Sequence, residues 1–363
     1  MRRVFAFLCL FGTVGLIGAA GISLMRHAAA SNPSPAGPDA RLCEAYSGLP
    51  RSGLNSLPGP APSDMVWVAG GSFAMGSDNA YREEQPTRRV SVDGFWIDRH
   101  EVTNAQFAAF VAATGYRTVA ERGLDPKAYP DIPAELVVPG SIVFAMPKPG
   151  ENTDPNGWWR FLPGADWRHP EGPGSTLAGR DNHPVVHVAY RDAEAYAGWL
   201  GRKLPSEAEW EFAARGGLEG AAYAWGDEQS PGGKWMANSW QGFFPYEDEA
   251  QDGFRSAAPV GCFPPNGYGL FDMTGNVWEW AADWYLGDHD AVKEGAANPS
   301  GPDHESAAAA AGGTEVHVIK GGSWLCSPNF CGRYRPSARQ PQEVDLGAIH
   351  IGFRTVLRGS PPQ

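Results

Sequence analysis

Glycine and proline interrupt this chain so often that long regular elements are excluded over most of its length. There are 46 Gly and 32 Pro among 363 residues, where the usual combined share is about 12%. Such a chain folds mostly as loops that must be packed from beneath. The means are present, since 14 Trp and a hydrophobic content of 42% supply large apolar surfaces to bury and argue against disorder. The length suits one large domain.

Regular elements are expected where the punctuation relents. Met65 to Ser77 carries apolar residues on either side of Gly70-Gly71, giving two short strands around a turn, and Val90 to Asp98 alternates as a further strand. Thr103 with Gln106 forms a capping box, Phe107, Phe110 and Val111 share one face, and Gly115 stops the helix. Ser206 with Glu209 opens a second helix that turns Trp210, Ala213 and Ala214 inward and ends at Gly216. Its glutamates, Glu207, Glu209 and Glu211, read as a solvated face with favourable first-turn charge. Between Glu121 and Pro163 the expectation is loops, some of them a substrate-facing rim, and one strand over Leu136 to Phe144. His183 and His187 lie on an extended segment about 13 Å apart, too far to share an ion, so they are structural. The five alanines from Ala307 to Ala311 read as a surface insertion rather than a helix. Val316 to Lys320 is a strand, and Gly347 to Val356 closes the domain.

Arg2 and Arg3 precede an apolar run from Val4 to Met25, followed by Arg26-His27-Ala28-Ala29-Ala30-Ser31. Residues 1–30 have the layout of an export signal, and the run is also long enough to span a bilayer as an uncleaved anchor. The protein is expected to be exported, periplasmic or secreted, and to touch a membrane only through such an anchor. Residues 31–64, rich in Pro, Ser, Gly and Ala, read as a flexible tether, which leaves 65–358 as the folded domain. A net charge of −12 with no basic stripe excludes nucleic acid as a partner. A monomer is expected.

The chemistry concentrates in Lys320 to Arg339, which holds two of the five cysteines. Pro328 lies between Cys326 and Cys331, so the segment is a loop, and a loop can turn both sulfurs toward one point. Two thiolates without histidine or carboxylate neighbours suit a soft, low-coordinate ion such as Cu(I), whereas tetrahedral Zn wants four ligands. The same spacing fits a structural disulfide in an exported chain. Cys9 lies in the apolar run, and sequence assigns no partner to Cys43 or Cys262.

The run Gly321-Gly322-Ser323-Trp324-Leu325-Cys326, with Cys331 and Arg333-Tyr334-Arg335 after it and Ile351-Gly352-Phe353-Arg354 near the end, resembles the active-site segment of formylglycine-generating enzymes, the sulfatase-modifying oxidases. Met65 to Ser77, Glu101 to Asn104, Trp167 to Pro173, Asn182 to Val188 and Lys203 to Gly217 resemble further blocks of that family, so the likeness runs from about Met65 to Arg354. It implies an α+β, C-type-lectin-like fold with little regular secondary structure, which composition alone would not give. It also implies a copper-dependent oxidase, with residues 65–358 as the catalytic domain. Such an enzyme converts a cysteine in an unfolded Cys-x-Pro-x-Arg segment of a sulfatase to Cα-formylglycine, using O2 and a thiol reductant. Cys326 and Cys331 would hold the copper, Ser323 matches the active-site serine, Arg339 matches a residue of the cleft, and Trp278 and Phe330 would line the peptide groove. Core packing explains either aromatic equally well.

The resemblance further implies two calcium ions. Asn238, Ser239, Asp252 and Phe254 would hold one, with Ser239 and Phe254 using carbonyls, and Asp272, Gly275, Val277 and Glu279 the other, with Gly275 and Val277 using carbonyls. Read without it, the same residues are Asx-type turns, although tight glycine turns between carboxylates do offer the oxygens that Ca²⁺ wants. Pro336 and Thr355 stand where some secreted animal members carry disulfide cysteines, and Phe330 replaces a tyrosine. The alternative is a non-catalytic peptide- or ligand-binding module on the same fold, which has no use for the cysteine pair. The iron-dependent sulfoxide synthases that share this domain need a histidine-bearing helical partner, and the segment before Met65 is too short for one.

Overall fold

The computed structural model describes residues 64–359 apart from 128, 130–131, 134–136 and 149–156. The expected signal or anchor, the tether to residue 63, Cys9, Cys43 and Leu136 lie outside the described residues, and the strand expected over Leu136 to Phe144 begins only at Gly140. Among the described residues no helix is long and apolar enough to cross a membrane.

The fold is α+β with modest regular structure. Its central sheet has the order β10-β7-β8-β9, built from β7 (Trp278–Trp284), β8 (Val316–Lys320), β9 (Arg339–Glu343) and the two-residue β10 (Ile351–Gly352). β8 runs antiparallel to both β7 and β9, and β10 lies parallel to β7. A second, antiparallel sheet joins β1 (Met65–Val68), β4 (Phe95–Asp98) and β11 (Val356–Arg358). Two hairpins complete the strands: β2 (Gly71–Met75) with β3 (Arg88–Val92), and β5 (Gly140–Phe144) with β6 (Trp159–Pro163).

Both capping boxes form as expected. Thr103 opens α1 (Asn104–Thr114), which ends on a left-handed Gly115, and α2 (Val119–Arg122) and α3 (Tyr190–Trp199) follow. Ser206 opens α4 (Glu207–Arg215), which ends on Gly216.

Several local expectations are corrected. β1 and β2 flank the glycine pair but enter different sheets, because the backbone at Gly70, φ +73°, passes so close to Val92 O that a Cβ would lie 2.5 Å from it. The alternating run after Val90 is two strands, broken where Gly94 packs against the Trp67 ring. The alanine run is part of a helix, α5 (His304–Ala310): Asp303 caps Ser306 N–H, Ala307 is buried, and alanine is the best helix former. β6 and α3 had no sequence signal that was read. The largest correction concerns α4, where all nine residues are buried. This helix contacts β2, β3, β7 and β8, so it has no solvated face, and its carboxylates must find cations inside the protein.

Candidate active site

β8 and β9 are register neighbours at Lys320 and Arg339, and residues 321–338 form the loop between them. Two local turns fold this loop. Cys326 N–H donates to Ser323 O (2.9 Å), and Cys331 N–H donates to Ser327 O (2.8 Å), so the chain doubles back around Pro328 and returns Cys331 to Cys326.

Both cysteines are free and buried, 1% and 6% exposed, and their side chains hydrogen-bond to each other. Burial and the neighbouring Cys331 sulfur push the Cys326 thiol well up. Burial would push Cys331 up as well, but the Cys326 thiol, the charge of the Arg333 guanidinium and the Arg333 backbone bring it below the ordinary thiol range. The two sulfurs are therefore inequivalent, with Cys326 holding its proton more tightly than Cys331. Two buried sulfurs on one loop suit a soft monovalent cation. Among the described residues no group of three or more His, Cys, Asp and Glu is arranged to hold a metal ion.

Ser323 is fully buried on the same loop; its Oγ accepts from Leu325 N–H (3.3 Å) and its backbone hydrogen-bonds to the Cys326 sulfur. Phe330 stacks on Phe244 at 4.3 Å and meets the edge of Trp158 at 5.3 Å. With Trp240, Trp324 and Leu325 these rings form an aromatic cluster beside the sulfurs. Trp278 belongs to the buried core that also contains both cysteines. Arg339 is turned inward: Nε and Nη2 donate to Glu207 (2.7 and 3.0 Å), and Nη1 to Leu286 O and Glu83 O (2.7 and 3.1 Å).

Residues 54–358 match the family model described as the sulfatase-modifying factor enzyme 1-like domain. The chain belongs to this family. It is 51% identical over 297 residues to the formylglycine-generating enzyme of Mycobacterium tuberculosis, covering 81% of this chain and 97% of that protein. It is 42% identical to the formylglycine-generating enzyme of Mus musculus, over 94% and 87% of the two chains. Among solved structures, PvdO from Pseudomonas aeruginosa has a TM-score of 0.55 at 24% identity, over 80% of this chain and 93% of that one, a likeness of fold.

Within this sulfatase-modifying-factor domain two of the first set of expected calcium donors, Ser239 and Asp252, lie together. Gln241 Nε2 donates both to Ser239 O and to Asp252 Oδ2, the latter at 2.8 Å, so those two oxygens face one point. Asp252 also accepts from Ser239 N–H and Phe254 N–H, and burial pushes its carboxyl up to about 6. Asn238 donates its side-chain amide to Ser256 O (2.9 Å) and Asn276 Oδ1 (3.1 Å). The second set backs onto the first, because a Cβ at Gly275 would lie 2.3 Å from Asn238 O. Val277 is buried beside it. Glu279 accepts from Arg354 Nε and Nη2 (2.7 Å each) and from Trp210 Nε1 (2.8 Å), which leaves one of its carboxylate lone-pair directions open. Burial pushes Asp272 up to about 7, and Glu101 is also raised by burial and by Asp272. Glu101, Asp272 and Glu279 interact electrostatically beside the Arg354 guanidinium.

Cys262 is disulfide-bonded, with its partner outside the described residues. His187 is fully buried and hydrogen-bonded through Nε2 to Pro170 O (2.8 Å), a structural histidine as expected. The residues that sequence reading missed are Glu83, Glu84, Glu207 and Arg333. One signal existed: three arginines, Arg333, Arg335 and Arg339, crowd a loop bound for the interior, and buried guanidinium groups need carboxylates.

Proposed function

We propose that this chain is a formylglycine-generating oxidase. It converts a cysteine in a Cys-x-Pro-x-Arg segment of a sulfatase to Cα-formylglycine, with O2 as oxidant and an external thiol as reductant. The observation that carries this reading is the buried pair of free cysteines in a core against which Phe330 packs; a binding module would have no need for it. The relatives named as formylglycine-generating enzymes, matched over nearly their whole length, support the conversion of cysteine to formylglycine. Copper, O2 and the reductant are our reading of the sulfur chemistry.

Cys326 and Cys331 would hold Cu(I), which supplies the one-electron chemistry that no side chain offers. The Arg333 charge favours the thiolate form of Cys331, which would ease metal binding there. The Cys326 proton must leave, and burial in an apolar surround favours its release only against a cation. Phe330, with Phe244 and Trp158 behind it, presents an apolar wall to an extended peptide. Packed rings exclude water from the sulfurs, and Ser323 can orient the water that completes the aldehyde. Arg339, fully engaged with Glu207, acts on the loop rather than on the peptide. The acidic donor sets at Asp252 and Asp272 would take Ca²⁺ as structural ions, and the protein would work as an exported monomer.

The test uses a synthetic peptide containing Leu-Cys-Thr-Pro-Ser-Arg with Cu(I), O2 and a thiol. The expected product is a peptide aldehyde, read by mass loss and hydrazine capture, while the peptide with Ser for Cys stays unchanged. Normal binding of the peptide with no aldehyde would overturn the oxidase reading.

A further inference from the structure

Local turns within the loop 321–338 return Cys331 to Cys326. Four carboxylates outside it hold its two ends and its outer half. At its base, Lys320 on β8 and Arg339 on β9 both reach Glu207: Lys320 Nζ lies 3.4 Å from Glu207 Oε1, and Arg339 grips the same carboxylate with two donors. Lys320 also donates to Glu211 Oε2 (3.1 Å) and Ser337 O (3.3 Å). Entry and exit of the loop thus close on one buried anion.

The outer half is held by the 3₁₀ turn Arg82–Glu84. Glu83 Oε1 accepts from Arg333 Nε (3.1 Å) and Nη2 (2.5 Å), and Glu84 accepts from Arg335 Nη2 (2.5 Å) and Ser337 Oγ (2.6 Å). Tyr81 lies under the Arg333 guanidinium at 3.8 Å and accepts from Gly332 N–H at 3.2 Å. The two halves then meet at Gly322, φ +76°, where a Cβ would stand 2.7 Å from Arg333 O.

With Nε and Nη2 committed to Glu83, the guanidinium cannot rotate, and its remaining Nη1 is buried with no hydrogen-bond partner. Its charge lies beside the Cys331 sulfur as well as Glu83.

We propose that Glu83, Glu84 and Glu207 are positioning residues for the sulfur pair. They set the separation and direction of Cys326 and Cys331 through Arg333, Arg335, Arg339 and Lys320 while touching neither sulfur. The proposal rests on the copper reading for its catalytic meaning, and on geometry alone for the sulfur placement. Neutral, near-isosteric substitutions keep the volume and remove the anchor, so they separate placement from packing.

The experiment compares wild type with Glu83→Gln, Glu207→Gln and Arg202→Gln. The last removes an ion pair with Asp98 (2.7 Å) elsewhere in the fold. Cu(I) affinity is read by competition with a colorimetric Cu(I) chelator, alongside thermal melting. A second readout needs no metal: the thiol–disulfide equilibrium of Cys326 and Cys331 in a glutathione buffer.

Glu83→Gln and Glu207→Gln should weaken Cu(I) binding by roughly 10- to 100-fold and shift the thiol–disulfide equilibrium, with Glu83→Asp restoring both in part. Arg202→Gln should lower the melting temperature and leave both readouts at wild-type values. If Glu207→Gln fails to fold, Glu83→Gln decides, since its carboxylate is partly exposed. Wild-type values in the folded Glu83→Gln protein would overturn the proposal. A wild type that does not bind Cu(I) would sink the copper reading alone, and the thiol–disulfide equilibrium would still decide the placement.

Discussion

The sulfur loop is held on two faces by opposite means. On one face Trp324, Leu325 and Phe330 pack into aromatic rings; on the other, Arg333, Arg335 and Arg339 are tied to Glu83, Glu84 and Glu207. Ring packing is non-directional, and rings can slide or re-pack at small cost. A charged hydrogen bond between buried groups fixes distance and angle, and losing one partner strands the other. The aromatic face can therefore yield to an incoming peptide while the ionic face holds the sulfurs still.

The strongest challenge to this division is Cys331→Ser. The serine hydroxyl nearly matches in size the buried thiol it replaces, so circular dichroism should show an intact fold while, on the proposed copper role of Cys331, aldehyde formation falls to background. Residual turnover would mean that the second sulfur is dispensable and that its careful placement has no purpose.

Next comes a comparison across the loop. Arg333→Leu strands Glu83 and removes the donor beside Cys331, and kcat/KM should drop by about 100-fold or more, chiefly in kcat. Phe330→Leu only thins the apolar wall; it should raise KM several-fold, roughly 1 kcal/mol of binding, and Phe330→Tyr should be tolerated. Equal kcat losses for the two leucine variants in steady-state kinetics would erase the distinction between the faces.

Calcium probes the aromatic face from beneath. Trp240 N–H donates to Cys326 O (3.0 Å) and Trp324 N–H to Asn276 O (2.9 Å), so the segments carrying Asn238 and Gly275 directly support the loop. A chelator should lower the melting temperature by several degrees, since a metal at 100-fold its dissociation constant contributes about 2.7 kcal/mol, and Asp272→Ala should behave like the chelator. An unchanged melting temperature, with no calcium by elemental analysis, would leave ordinary turns there.

The smallest effect is acid sensitivity, which belongs to the ionic face. Burial alone would raise the Glu207 carboxyl, but Arg339, Lys320 and His289 hold it well below the usual range. A group depressed in the folded state contributes stability that is complete above its unfolded value and is lost as pH falls through its folded value. Denaturant titrations below about pH 4.5 should show this acid limb in wild type and a flatter one in Glu207→Gln. Parallel curves would mean that Glu207 contributes nothing at that face.

Much of the molecule could be read from residues alone. The two capped helices follow from Thr103, Ser206 and their partners three residues on, because caps are local hydrogen bonds that sequence spacing dictates. The sulfur pair was found because proline and cysteine spacing restrict a loop locally. The glutamates of α4 were misread for the opposite reason. Their spacing is that of any amphipathic helix, and only packing against β2, β3, β7 and β8 makes their side bury.

The resemblance places Arg339 in the cleft; its buried partner Glu207 lies 132 positions away, beyond any local pattern. What the sequence determined by itself was therefore what neighbours in the chain enforce: caps, turns, the loop and the two thiols. Which carboxylate meets which cation, and hence the different surroundings of the two thiols, was decided by tertiary structure. Coulomb energies and desolvation depend on separations in space that no local pattern encodes.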